Sequence, residues 1–481
     1  MPLRPHQVEP ARQLLDLLSR SDVAIDGSDM GVGKTHVAAA VAARLNLPTL
    51  CVAPKISLYA WRAAAALEGD AVSVINYELL RTGTTPYGWW DNPPPTTRAI
   101  YFQCTHCQRK YKDGETIDGC YCRPDGIHCF DTRKVAHRYG RFHFHPGVRL
   151  VVFDEVHRCS GLDSLNAEIL IAAKREQRKI LALSATLAMS PLQLRALGYV
   201  LGLHQLSDFE LWARRKGVRR IPRGGLKWLV SEASQSKIMS DIREQIFPAL
   251  GVRVTTESIP DFPACDIQAE LFDLDEGGKL ESLYAEMGDA IAALKAHAEF
   301  DKDAEHPLTK ILRARQAIEL LKVPLMCELH SDYRAKGFSV ALFVNFSQTI
   351  AELRKRLRTE CVVDGSEYGI KFRDKNIGYF QSNGSREIIL NIQAGNESIS
   401  LGDTDGNFPR VGLVMPCDSA VRFRQLVGRL PRHGGRSTSY YRVLFAANSP
   451  EVRMHRALRA KLNNLDALND GDLSPENLLF T

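Results

Sequence analysis

Three groups of side chains in this sequence have the types and spacing for phosphate chemistry. The first is Met30-Gly31-Val32-Gly33-Lys34-Thr35, reached from an apolar run ending at Ile25 and followed by the alanine-rich segment Val37 to Leu45. Strand, glycine loop and helix in that order make a phosphate cradle. Loop N–H groups and the helix N-terminus present partial positive charge, Lys34 reaches the β and γ phosphates, and Thr35 offers a hydroxyl to Mg²⁺. Ser28 stands where such loops usually carry their first glycine. The second group, Asp154-Glu155-Val156-His157, follows the apolar run Val148 to Phe153. Asp154 can hold the Mg²⁺ shared with Thr35, and Glu155 can orient or deprotonate the attacking water. Alone, an acidic pair after a strand is an ordinary solvated turn; the phosphate loop upstream gives it its meaning. The third group is Gln425-Leu426-Val427-Gly428-Arg429-Leu430-Pro431-Arg432, whose arginines could reach across a cleft to a transferring phosphate, or simply form a basic surface turn.

A different chemistry is suggested by five of the eleven cysteines: Cys104, Cys107, Cys120, Cys122 and Cys129, with His128 beside the last. Thiolate pairs on short turns separated by a polar loop suit tetrahedral Zn²⁺, and four of these five are expected to bind it. Cys104 and Cys107 are firm members of that set. The segment is too small to bury a sufficient core, so the metal would do much of its stabilising.

These groups need a scaffold, and the chain supplies one twice. With 481 residues it exceeds what one hydrophobic core organises. Strands are expected at 49–53, 71–75, 148–153 and 179–183, with helices between them. A second series follows at 339–344, 361–363, 387–392 and 411–415. Such alternation indicates two doubly wound parallel sheets, with ligands at the carboxyl ends of their strands. The expected units are a first lobe over 1–205 with a zinc-binding insert at about 96–146, a helical middle region over 206–325, and a second lobe over 326–481. The middle region carries the basic run Arg214-Arg215-Lys216, Arg219-Arg220 and Arg223, a solvated face that could also line a nucleic-acid path. Ser449 and Pro450 signal the start of a C-terminal helix whose apolar positions Val452, Leu458, Leu462 and Leu465 would dock on the second lobe. No apolar stretch approaches the ~20 residues that span a bilayer, and no signal-peptide pattern opens the chain. A cytoplasmic protein without a membrane partner is therefore expected. The net charge of +6 permits nucleic-acid binding without requiring it.

The ordered motifs resemble those of the superfamily 2 helicases and translocases, and within them the Swi/Snf-type DNA-dependent ATPases, including versions carried by tailed bacteriophages. Leu3-Arg4-Pro5-His6-Gln7 looks like the opening adenine-reading motif, with Gln7 as the contact. Asp29 to Thr35 looks like motif I, and Asp29-Met30 is its Swi/Snf form. Ala53-Pro54-Lys55 resembles motif Ia, and Ile75-Asn76-Tyr77-Glu78 the stretch after it. Asp154 to His157 resembles motif II, Ser184-Ala185-Thr186 motif III, Val344-Asn345-Phe346 motif IV, Gln393-Ala394-Gly395 the start of motif V, and Gln425 to Arg432 motif VI. The resemblance implies two tandem RecA-like lobes with ATP and Mg²⁺ between them. Lys34, Thr35, Asp154 and Glu155 would face Arg429 and Arg432, with Gln425 also at the nucleotide. Asn396 and Ser398 stand where motif V usually has glycines, Pro431 constrains the arginine turn, and the cysteine-rich insert is not general to the family. The implied activity is an ATP-driven motor on DNA, single-stranded or duplex, ahead of RNA. The competing reading is a zinc-containing nucleic-acid adaptor gated by ATP, and Lys34, Glu155 and Arg429 are intact against it. The insert could serve a protein partner.

Overall fold

A computed structural model describes residues 3–69, 72–93, 101–104, 110–112, 130–131, 140–221, 225–274, 277–296, 307–392, 399–417, 419–447 and 449–451. Cys107, Cys120, Cys122 and Cys129 lie outside these residues, and only the backbone of Cys104 is described, so the zinc site is not addressed by the structure. Arg223, Gln393 to Ser398, and the C-terminal helix beyond Glu451 also lie outside them.

Two six-stranded, wholly parallel sheets organise the chain. The first runs, edge to edge, Gly251–Val252, Val23–Asp26, Lys179–Leu183, Leu150–Asp154, Thr49–Ala53, Val72–Asn76. Its four inner strands are buried on both faces, as near-continuous apolar runs require. Ile25, Val52, Phe153 and Ala182 point to one core with Leu170, Leu197 and Ile242. Ala24, Cys51, Val152 and Leu181 point to the other, under Leu14, Val41 and Trp61. Leu183 pairs with both Asp26 and Asp154, so the phosphate loop and both following motifs leave the sheet at one level.

The second sheet runs Cys265–Phe272, Ser439–Ala446, Arg410–Val414, Ser339–Val344, Glu387–Asn391, Val362–Val363. Phe343, Leu390 and Tyr441 face one core, and Leu342, Ile389 and Leu413 the other. The stretch 206–325, expected to be helical, is more mixed. It holds the helices Glu232–Ile246, Gly277–Ala296 and Pro307–Leu321, but it also gives one strand to each sheet. The chain therefore crosses between the sheets over residues 253–264.

The excursion before the acidic pair begins and ends on an antiparallel ladder, Gly88–Trp90 with Phe142–Phe144. Trp90, Phe142 and Phe144 are buried in the first lobe's core. Each such side chain contributes on the order of 2 kcal/mol by leaving water, which anchors the base of the insert. Beyond that base, Tyr101–Cys104, Lys110–Lys112 and Phe130–Asp131 form a small antiparallel sheet.

Candidate nucleotide site between the lobes

The phosphate loop turns sharply because Gly31 and Gly33 hold φ of +82° and +91°, values that side chains with a Cβ rarely adopt. Gly33 then caps the helix Lys34–Leu45. The Lys34 ammonium lies within the loop and donates to the carbonyls of Ser28 (2.7 Å) and Asp29 (2.8 Å). Burial lowers its pKa, against the pull of Asp26, Glu155, Asp29 and Asp154. Gln7 is buried directly over the loop: its Nε2 donates to the Val32 carbonyl at 3.0 Å, and its Oε1 accepts from the Arg4 N–H at 3.0 Å. A Cβ on Gly33 would collide with the Gln7 amide.

Ser28 has a positive role. Its hydroxyl accepts from the Val254 N–H at 2.9 Å, a bond that glycine could not make. Asp29 continues the same seam. Its carboxylate accepts from Arg253 Nη2 and from the Thr256 N–H, both at 3.1 Å, and lies 3.7 Å from Arg424 Nη2 of the second lobe.

Asp154 ends its strand buried, with Oδ2 accepting from the Trp61 indole N–H at 2.8 Å. Tyr77 donates its hydroxyl to the Asp154 carbonyl at 2.8 Å. Burial and the adjacent Glu155 charge push the Asp154 carboxyl up to about 7. Glu155 sits at φ +52°, and although burial works the other way, His157, Lys34 and Arg429 hold its carboxyl down at about 2. The pair is thus differentiated. His157 Nδ1 lies 3.2 Å from Glu155, 3.1 Å from the Ser184 hydroxyl and 3.3 Å from the Thr186 hydroxyl. Ser184 and Thr186 therefore act in a shared network with the acidic pair, beyond any capping of the next helix.

Arg429 and Arg432 are delivered by the helix Ala420–Val427 and the turn after it. Both donate to one acceptor, the Ile399 carbonyl, at 3.3 and 2.8 Å. A Cβ placed on Gly31 would lie 3.1 Å from Arg432 Cδ, so Arg432 crosses from the second lobe to touch the phosphate loop. Arg429 is near enough for its charge to act on Glu155. Met30 packs against Gly428 across the same junction. His6 and His433 stack across it with ring centroids 4.8 Å apart. Gln425 is buried on the Ala420–Val427 helix.

The structure thus brings Gln7, Met30, Gly31, Val32, Gly33, Lys34, Asp154, Glu155, Arg429 and Arg432 to one junction, with Thr35 one residue into the helix. Lys55 is exposed at a strand end. Asn345 is turned to a structural task, its Nδ2 donating to Glu319 at 2.7 Å and to the Pro416 carbonyl at 3.0 Å. Trp61, Tyr77 and Arg253 were not picked out as site residues. Tyr77 was named only within the stretch Ile75-Asn76-Tyr77-Glu78, and the signal that could have found it and Trp61 is their polar tips, which need partners when buried. The residues fit a divalent cation: Asp154 is a buried carboxylate whose ionised form is disfavoured until a positive charge joins it. Among the described residues, no group of three or more His, Cys, Asp or Glu side chains is placed to hold a metal alone, and no helix is long and apolar enough to cross a membrane.

No family model matches the chain. A protein of Acanthamoeba polyphaga mimivirus, provisionally named as an ATP-dependent RNA helicase, is 28% identical over 488 aligned residues, spanning 98% of this chain and 84% of the relative. Among solved structures, the Sulfolobus solfataricus SWI2/SNF2 ATPase core in complex with dsDNA aligns over 99% of this chain and 96% of its own, at 16% identity and a TM-score of 0.36. Dbp5 of S. cerevisiae, bound to RNA and ADP BeF3, aligns over 96% and 92% at 11% identity and a TM-score of 0.44. Along nearly its whole length the chain is thus similar to a protein named as an ATP-dependent helicase, and the phosphate loop, acidic pair and paired arginines that resemble superfamily 2 motifs meet at one junction, the make-up of an ATP-hydrolysing enzyme.

Proposed function

We propose that the chain is a nucleic-acid-stimulated ATPase that moves on DNA, with two RecA-like lobes opening and closing around ATP. The contact of Arg432 with the phosphate loop is the observation that carries this reading, because it joins the two halves of a hydrolytic site. In this scheme Lys34 exchanges its two carbonyl partners for phosphate oxygens, and Gln7 reads the base beside the loop. Glu155, held ionised by His157, accepts the proton of the attacking water. Arg429 and Arg432 turn from the Ile399 carbonyl towards charge building on the transferred phosphate. Mg²⁺ held by Thr35 and Asp154 would supply charge neutralisation at the phosphates. The network from Glu155 through His157 to Ser184 and Thr186 would pass the nucleotide state to the nucleic-acid grip.

DNA is proposed on the Swi/Snf wording Asp29-Met30, whereas the mimivirus relative is named for RNA. The deciding experiment compares ATP hydrolysis with single-stranded DNA, duplex DNA and RNA, alongside strand displacement. Hydrolysis should rise with DNA and be abolished in Lys34→Ala and Glu155→Gln; unchanged hydrolysis in both variants would sink the motor reading. Cys104 to Cys129 are proposed to hold one Zn²⁺, on the spacing of their thiols.

A further inference from the structure

The helix Phe209–Arg215 leads into an antiparallel hairpin, Val218–Arg220 with Leu226–Trp228. The inner side of this module is well anchored. Phe209, Ala213 and Val218 are buried with Trp212, Leu226 and Trp228 packed against them, and Trp228 Nε1 donates to the Lys216 carbonyl at 2.8 Å. Leu162 and Leu192 belong to the same cluster. They lie on the segments that follow Asp154-Glu155 and Ser184-Thr186, and Arg195 ties these segments together by donating to the Leu162 carbonyl. The module is therefore mounted on the exits of the two strands that carry the hydrolytic network.

Its outer side is cationic. Among the described residues of 208–228 are Arg214, Arg215, Lys216, Arg219, Arg220 and Lys227, against Asp208 and Glu210. Glu210 takes both Arg214 and Arg220, at 2.8 and 3.1 Å. Arg215, Arg219 and Lys227 are exposed, and Arg219 and Lys227 stand directly opposite each other in the ladder. Like charges in that position destabilise a hairpin, so the fold does not account for them. An anion lying over both would. Leu211, Ile221 and Leu229 are exposed within two to four residues of these cations along the chain, and apolar side chains beside a phosphate track can wedge against bases.

We propose that this hairpin module binds the phosphate backbone of nucleic acid through Arg215, Arg219 and Lys227, and that its seat on Leu162 and Leu192 relays occupancy to the hydrolytic network. The inference rests on the motor reading above and names the surface that senses the substrate. A protein partner would leave nucleic-acid activation independent of these charges.

The test uses the full chain with Arg215→Glu/Arg219→Glu/Lys227→Glu, and with the milder Arg215→Gln/Lys227→Gln, which spares the bonds Arg219 makes to the Arg214 and Val218 carbonyls. Binding of labelled single-stranded DNA, duplex DNA and RNA is followed between about 50 and 200 mM salt, together with ATPase activity with and without each. Loss of three phosphate contacts should lower the slope of log K against log salt by about two to three, and loss of two by about one and a half. Affinity should fall at least about tenfold in the triple variant, with basal hydrolysis unchanged and activation displaced to higher nucleic-acid concentration. The more strongly affected arm identifies the form gripped. Unchanged affinity and slope in both variants would overturn the proposal. Wild-type hydrolysis that no nucleic acid stimulates would instead overturn the motor reading.

Discussion

Replacing Asp154 by Asn should make the nucleotide-free protein more resistant to heat at alkaline pH while destroying its hydrolysis. Asp154 is buried, and its carboxyl is pushed from the ordinary 3.8 up to about 7. A carboxyl raised on folding gives stability that is fully present below its unfolded pKa and lost as pH rises through the folded value, here between about 4 and 7. Three units at ~1.4 kcal/mol each set a ceiling of ~4 kcal/mol. Glu155 moves the opposite way, and the two titrate as a pair, so about half the ceiling, ~2 kcal/mol, is expected. Asparagine retains an oxygen for the Trp61 indole N–H, so the hydrogen bond survives and only the charge is removed. For a cooperative unit of about 250 residues, ~2 kcal/mol corresponds to a Tm rise of ~4–8 °C. The assay is thermal unfolding of both proteins, free of nucleotide and divalent ions, at about pH 5 and about pH 8.5. A variant that gains nothing at the higher pH, or gains equally at both, would refute the account of Asp154 as a strained buried carboxylate.

Asp29→Ala takes the carboxylate from buried Arg253, which keeps its bond to the Gly27 carbonyl, and should cost ~3 kcal/mol, read as a lower Tm, whereas Asp29→Asn should cost less because it keeps an acceptor. Trp61→Phe removes the donor to Asp154, so the acidic limb of the ATPase pH profile should move to higher pH with little change in fold, since a donor to the ionised form holds a carboxyl down. Metal analysis of native protein should return one zinc per chain, and prolonged chelation should unfold the insert, detected as new protease cleavage between residues 96 and 146.

Most of the scaffold was legible in the sequence because its strands are short apolar runs ending in chemistry. Lys179–Leu183 was read to the residue, and Leu150–Asp154 and Arg410–Val414 were displaced by only a residue or two. Gly251–Val252 was not legible, since two residues carry no periodicity. Cys265–Phe272 did carry a signal, with Ile267 and Ala269 buried at alternating positions, but helix-rich neighbours obscured it. Of the site, the phosphate loop, acidic pair and arginines could be named because their spacing is local. The seam of Asp29 with Arg253 and Arg424 could not, because its members are 224 and 395 residues apart and meet only when both sheets are built. Ser28 was read as a substituted glycine; its partner, the Val254 N–H, is invisible to any local pattern.

That serine now has a mechanical consequence. Val254 pairs with Ser28 and Asp29, and Thr256 with Asp29, on the first residues of the strap that carries the chain from one sheet to the other. The phosphate loop is thereby bound to the root of the strap that joins the two sheets. A shift of the loop that kept these bonds would be handed directly to the first residues of the connection between the two sheets.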